Sequence, residues 1–223
     1  MSGREAILNK VRGASKAGAA DARRIEAVSA RLANAPRGVI PARGQLPAAE
    51  RIDLFCEMAV KLSASVERVQ ATDDVPASVA AYLRERNLPA SLRMGADTRL
   101  AAMPWAEQGA LQVKSGASDG DDEVGLSHAS VAIAETGTLV LTSGSDNPTT
   151  INFLPEHHIV VVDAAEIEGD METALARIRA RFGKGNMPRT VNFISGPSRS
   201  GDIEQKIILG AHGPRALHLI VVG

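Results

Sequence analysis

Cysteine is almost missing from this chain: Cys56 is the only one in 223 residues. No internal disulfide can form, and the chain cannot by itself supply the set of thiolates that usually holds an iron–sulfur cluster. Cys56 falls in the apolar pattern Ile52, Leu54, Phe55, Met58, Ala59 and Leu62 of an expected helix, which makes it a packing residue. Aromatic side chains are also scarce, at 3%, and the formal net charge is −1. Base-stacking platforms and a basic stripe are therefore both lacking, and nucleic acid is excluded as a partner class. No apolar run approaches the roughly 20 residues that span a bilayer, and the N-terminus carries no apolar leader region, so a cytoplasmic protein is expected. The phosphate-cradling G-x-x-x-x-G-K-[ST], the dinucleotide G-x-G-x-x-G and the nucleophile elbow G-x-S-x-G are absent too.

Lys and Arg vanish over residues 115–170, where Asp119, Asp121, Asp122, Glu123, Glu135, Asp146, Glu156, Asp163, Glu166, Glu168 and Asp170 accumulate. From Arg177 onward the sign reverses. If both blocks enter one fold, their opposite potentials meet, and a cleft at that junction can orient a small anion. The acidic loop 119–123 lacks the spacing of an EF-hand, and the adjacent His157 and His158 would point to opposite faces of a strand, so no metal site is expected.

What is present reads as a helical N-terminal arm over residues 1–47, followed by one α/β domain over 48–223. Helices are expected at 4–11 and 21–33 in the arm, then at 48–71, 76–86 and 171–182. Short apolar segments at 91–94, 111–113, 130–134, 138–141, 159–162, 190–195 and 216–222 read as strands. Strands interleaved with helices, several apolar on both faces, favour a mostly parallel or mixed sheet covered on both sides.

The most informative stretch runs from Thr190 to Val222. Gly196-Pro197 ends one strand, Ser198, Arg199 and Ser200 form a loop, and His212-Gly213-Pro214-Arg215 leads into the last strand. Asp202 with Gln205 has the spacing of a capping box, so a helix is expected over 202–210 with its free N–H groups facing the Ser198–Ser200 loop. Both loops are expected on one sheet edge, forming an anion site. Read blandly, the same Gly and Pro residues punctuate turns, and Arg199 and Arg215 are solvated or paired.

A second motif, AIAETGTLVLTSG over 132–144, sets Glu135 beside Thr136-Gly137-Thr138 between apolar segments. Two readings stay open: a cleft carboxylate acting as base or nucleophile, or a turn cap accepting the N–H groups of Thr136 to Thr138. The polar run Asp146-Asn147-Pro148-Thr149-Thr150, with Asn152-Phe153-Leu154-Pro155, either coordinates a ligand or closes turns.

Taken together, Ala134–Leu139, Asn147–Thr150 with Leu154-Pro155 and His158-Ile159, and the tail from Gly196 through Asp202 to Arg215 resemble lactate utilization protein C, a LUD-domain family. The resemblance is strong over 123–222 and looser over the helices before it. It implies a NagB/RpiA/CoA-transferase-like fold, and a non-redox subunit that works with iron–sulfur partner subunits in oxidising L-lactate to pyruvate. It implies no cofactor on this chain, in keeping with the lone Cys56, and a possible homo-oligomer. Many members carry Thr-Ala where Ser200-Gly201 stands here. The ligand set carried over is Thr136, Gly137, Thr138, Gly196, Pro197, Ser198, Arg199, Ser200, Asp202, His212, Gly213 and Arg215, with Glu135 as the candidate catalytic group. The alternative is a free-standing acyl- or CoA-transferase-like enzyme using Glu135.

Overall fold

The computed structural model describes residues 2–14, 21–34, 36–203 and 206–223, and the chain separates into two compact units, 1–39 and 40–223. The first unit holds α1 (Gly3–Ala14) and α2 (Ala22–Asn34), where the sequence predicts helices. Ser2 and Asp21 side chains accept N–H groups of the first turns, leaving fewer orphan donors at each start. Ile7, Leu8 and Val11 on α1, and Ile25, Val28 and Leu32 on α2, remain exposed.

The second unit runs α3 (Ala48–Lys61), β1 (Ser65–Val69), α4 (Val75–Glu85), β2 (Ser91–Met94), α5 (Thr98–Ala101), β3 (Gln112–Ser115), β4 (Val124–His128), β5 (Val131–Ile133), β6 (Thr138–Thr142), α6 (Thr149–Phe153), β7 (His157–Asp163), β8 (Ile167–Glu168), α7 (Met171–Phe182), β9 (Val191–Ile194), β10 (Arg199–Ile203), β11 (Lys206–Leu209) and β12 (Ala216–Val222). A six-stranded sheet in the order β1-β12-β7-β4-β2-β3 is parallel throughout. A four-stranded sheet, β8-β5-β6-β9, has antiparallel β5–β6 and β6–β9 pairs and a parallel β5–β8 pair.

Side-chain alternation stacks these layers. Ile159, Val161, Ile220 and Val222 face α4, where they meet Val75, Val79, Tyr82 and Leu83. Their neighbours Val160, Val162, Leu219 and Val221 turn the other way, onto Phe55 and Ala59 of α3 and Leu139 and Leu141 of β6. On the outer side of the second sheet, Val131, Ile133 and Val140 pack on Ala174 and Ile178 of α7. Burial on both faces is why β7 and β12 read as largely apolar runs instead of alternating ones. The architecture is a mixed α/β fold with a mainly parallel sheet flanked by helices.

Two expected helices are corrected. The one expected over 48–71 ends at Lys61; Ser63 takes φ 70°, and Ser65–Val69 becomes an edge strand paired with β12. Non-local pairing with the apolar β12 outweighs the helix-favouring residues Glu67 and Arg68. The helix expected from Asp202 is replaced by β10 and β11, which pair antiparallel with Arg199 opposite Leu209 and Ser200 opposite Ile208. Asp202 and Gln205 carry the spacing of a cap, but the β-branched Ile203, Ile207 and Ile208 and the interior Gly201 favour an extended pair. Gln205 itself lies outside the described residues. With no helix there, no helix dipole faces the Ser198–Ser200 loop.

Candidate functional site: a loop-lined cavity

β9 and β12 stand in different sheets, so the two loops are not on one sheet edge as the sequence suggested. They meet nonetheless, because the chain crosses between the sheets at this point. The Ser198 N–H donates to the Pro214 carbonyl at 2.8 Å, and the Gly210 N–H to the Ser198 carbonyl at 3.0 Å. The loops enclose a cavity of about 280 Å³, with Ser195, Gly196, Pro197, Ser198 and Arg199 on one side and His212, Gly213 and Pro214 on the other. Asn152 of α6, His158 of β7 and Leu217 of β12 form its inner wall. These strands contribute their amino-terminal ends, the opposite edge from the one where open parallel sheets usually hold ligands.

Gly196 makes the closure possible. Its φ is 80°, and a Cβ there would stand 2.3 Å from the Leu62 carbonyl, so the loop passes the end of α3 only because it has no side chain. The Arg199 guanidinium donates to that same Leu62 carbonyl and, at 3.4 Å, to Ser63 Oγ. It therefore caps the carboxyl end of α3, where a cation is favoured. Arg215 pairs with Glu156 at 3.2 Å and lines an adjoining groove with Phe153, Leu209 and His212. Ser200 and Asp202 follow Arg199 along β10.

The inner wall holds a buried polar chain. Asn152 is 0% and His158 1% exposed. Ser127 Oγ donates to Asn152 Oδ1 and contacts His158 Nε2, both at 3.0 Å. A hydroxyl has one proton, and Asn152 receives it, so His158 Nε2 must be the donor in the second bond. Burial pushes the His158 pKa from 6.5 down to about 3, which keeps the ring neutral with a bare Nδ1. Among the described residues, that Nδ1 and the Asn152 Nδ2 both have no hydrogen-bond partner. Sequence reading passed over Ser127, and took His158 as part of a motif and as one of two adjacent histidines set aside as metal ligands. The available signal was Ser127 and His158 beside the apolar residues of β4 and β7.

The Glu135 motif sits elsewhere. Ala134–Thr136 forms one tight turn closed by Gly137 at φ 61°, where a Cβ would come within 2.6 Å of the Ala59 nitrogen of α3. Glu135 is buried, and its Oε1 accepts the Met171 N–H at 3.1 Å. Together with Asp170 Oδ1, which accepts the Thr173 N–H at 2.8 Å, it satisfies the amino end of α7. The carboxylate thus holds a distant helix instead of its own turn, and it is not among the residues lining the cavity. The motif does reach the cavity by hydroxyls: Thr136 Oγ1 to Thr138 Oγ1 at 2.8 Å, and Thr138 Oγ1 to Ser195 Oγ at 2.7 Å.

The acidic and basic blocks meet as ion pairs. Arg177 of α7 is half-buried and pairs with Glu166 at 2.5 Å and Glu168 at 2.8 Å. Arg181 lies 3.5 Å from Asp146, and Arg99 lies 2.7 Å from Asp97. A second cleft of about 340 Å³ lies among Arg99, Ser130, Glu166, Arg177 and Arg181, but its cations are already matched by carboxylates. His157 and His158 do turn to opposite faces, His157 Nδ1 meeting the Tyr82 hydroxyl at 2.9 Å. Among the described residues, no three His, Cys, Asp or Glu side chains gather as metal ligands.

The LUD domain pattern matches residues 52–222, which span all of this architecture from within α3 to the end of β12. The chain belongs to the LUD-domain family. Lactate utilization protein C of Geobacillus sp. strain WCH70 is 40% identical over 100 residues, which are 44% of this chain and 42% of that protein. The protein of the same name from Bacillus subtilis strain 168 is 36% identical over 100 residues, again 44% and 42%. The matched part of this LUD protein thus spans less than half the length of those relatives. A crystal structure of a DUF162 family protein from Deinococcus radiodurans superposes with a TM-score of 0.60 at 22% identity, covering 80% of this chain and 99% of that one. At that identity the likeness concerns the fold. Among the described residues of the LUD protein, no helix is long and apolar enough to cross a membrane.

Proposed function

We propose that this LUD protein serves L-lactate utilization as a cytoplasmic, non-redox subunit that takes a small carboxylate into the cavity between the 195–199 and 212–214 loops. Iron–sulfur partner subunits carry the electrons as L-lactate is oxidised to pyruvate, and the fold belongs with the NagB/RpiA/CoA-transferase-like class. The observation that carries the reading is convergence: residues 196–199 and 212–214, from separate motifs on which the resemblance to lactate utilization protein C rests, close on one cavity together with Asn152 and His158. Its volume lies below that of drug-sized sites and suits a ligand of a few carbons. The lining offers Asn152, the Ser195 and Ser198 hydroxyls and the N–H groups of Arg199 not spent on α3. The transferase alternative draws less support, because the Glu135 carboxylate is tied to the start of α7 outside the cavity.

The role is tested in the native host. Deleting the gene is expected to abolish growth on L-lactate while sparing growth on pyruvate, and the tagged full-length chain is expected to co-purify with iron–sulfur proteins. Unchanged growth on lactate, or a chain that purifies free of any iron–sulfur protein, overturns the role. A Gly213→Leu variant fills the cavity from a wall where a Cβ meets only ordinary contacts, the nearest 3.4 Å away. It is expected to fold and to lose lactate binding.

A further inference from the structure

Phe153, His212 and Gly213 line the cavity and also the adjoining groove of about 480 Å³, so the two hollows share a wall. A Cβ on Gly213 would meet Ser198 of the cavity at 3.4 Å and the Phe153 ring at 3.7 Å, and the bare glycine keeps that shared wall thin. The two hollows differ in chemistry. The cavity carries the Ser195 and Ser198 hydroxyls and Arg199, whereas the groove is lined by Phe153, Leu154, Pro155, Leu209 and Ala211. Phe153 is 40%, Leu154 48% and Leu209 53% exposed, so these side chains are open to a ligand. Arg215 and Glu156 border the groove too, but they pair with each other and call for no ionic group. Large apolar side chains standing in a concave surface gain from any apolar group that displaces water from them. A groove of this volume takes a chain of several carbons, whereas a stable protein interface takes roughly 800 Å² from each partner. Cavity and groove together come within the roughly 300–1,000 Å³ of small-molecule sites, which are mostly apolar with a few polar groups to fix orientation.

We propose that the groove is a tail subsite of the cavity, so that the chain binds medium-chain acids with the carboxylate in the cavity and an apolar tail of several carbons along Leu154 and Leu209. This extends, and rests on, the small-carboxylate reading above. L-Lactate occupies the head position alone, and a medium-chain acid occupies both. Leu154 and Leu209 line the groove but not the cavity, which allows the two parts to be tested apart.

The test is a calorimetric titration of the full chain with propionate, octanoate and 1-octanol, in the wild type, in the double variant Leu154→Ser with Leu209→Ser, and in Gly213→Leu. A fully buried methylene is worth roughly fourfold in affinity, and the open groove buries only part of the tail. Octanoate is therefore expected to bind wild type at least roughly tenfold more tightly than propionate or 1-octanol. In the double variant that advantage is expected to shrink below roughly threefold with propionate unchanged, and in Gly213→Leu both acids are expected to be lost. Equal binding of propionate and octanoate by wild type overturns the tail subsite and leaves the carboxylate reading standing. No binding of either acid overturns both. An octanoate preference that persists in the folded double variant, 1-octanol binding as tightly as octanoate, or octanoate binding undiminished in Gly213→Leu places the tail elsewhere and overturns the proposal. Should the double variant fail to fold, ¹H–¹⁵N spectra of wild type decide: the Leu154, Leu209 and Ala211 amide signals are expected to shift with octanoate and to stay with propionate, and signals that ignore octanoate overturn the subsite.

Discussion

Single residues in this LUD domain carry costs that its packing offsets. His158 is held near pKa 3 and His218 near 4 by burial, against 6.5 for an exposed ring. An unfolded chain takes up these protons below pH 6.5 while the folded chain refuses them, so stability falls as pH falls through that window. Each histidine contributes a slope of at most about 1.4 kcal/mol per pH unit. Between pH 7 and 5, where carboxylates stay ionised, the urea midpoint is expected to drop, and His158→Phe is expected to show the smaller drop. A midpoint flat across that range contradicts the buried neutral state. Arg199→Ala removes the cap on α3 and is expected to cost about 1 kcal/mol by urea denaturation, whereas Arg215→Ala, losing only an exposed pair with Glu156, stays within about 0.5 kcal/mol. Equal losses in the two would mean that Arg199 does not serve α3. For Glu135→Gln, which keeps an acceptor for Met171 but removes the charge at the start of α7, a loss of about 1 kcal/mol is expected with lactate affinity unchanged; altered affinity at normal stability would put the carboxylate back in the site.

Elements show where local pattern is enough and where it fails. α7 (Met171–Phe182) and β12 (Ala216–Val222) fall where the sequence places them, because helical spacing after Asp170 and a near-continuous apolar run are each one-element signals. β1 escaped local reading because the helix-favouring Glu67 and Arg68 are overruled only by a distant strand partner, β12, and the β10–β11 pair because Asp202 and Gln205 have the spacing of a helix cap. β4 was missed as well: Gly125, Ser127 and His128 interrupt its apolar pattern, and each is buried in the fold. The junction of α3 with the cavity loop depends on Gly196. Gly196→Ala combines φ 80° with a 2.3 Å approach to the Leu62 carbonyl, so a loss above about 2 kcal/mol is expected in denaturant melts. A loss no larger than that of a surface alanine would mean that the loop passes α3 with room to spare.

At the scale of the whole molecule, the interleaving of strands and helices made an α/β fold legible, but its division into a parallel sheet and a second, mixed sheet was not. Which strands pair is settled by contacts between segments far apart in sequence, such as β1 with β12. The candidate site follows the same rule. Its rim, Gly196 to Arg199 and His212 to Gly213, was visible as loop punctuation, while its floor arises only when β4, α6 and β7 bring Ser127, Asn152 and His158 together. The central claim is that this cavity receives the ligand, and the most direct measurement is a ¹H–¹⁵N correlation spectrum of the full chain titrated with L-lactate. Shifts are expected to concentrate at Ser195, Gly196, Ser198 and Gly213, with the second cleft around Arg99, Arg177 and Arg181 unmoved. An unchanged spectrum, or shifts centred on those three arginines, would contradict the account.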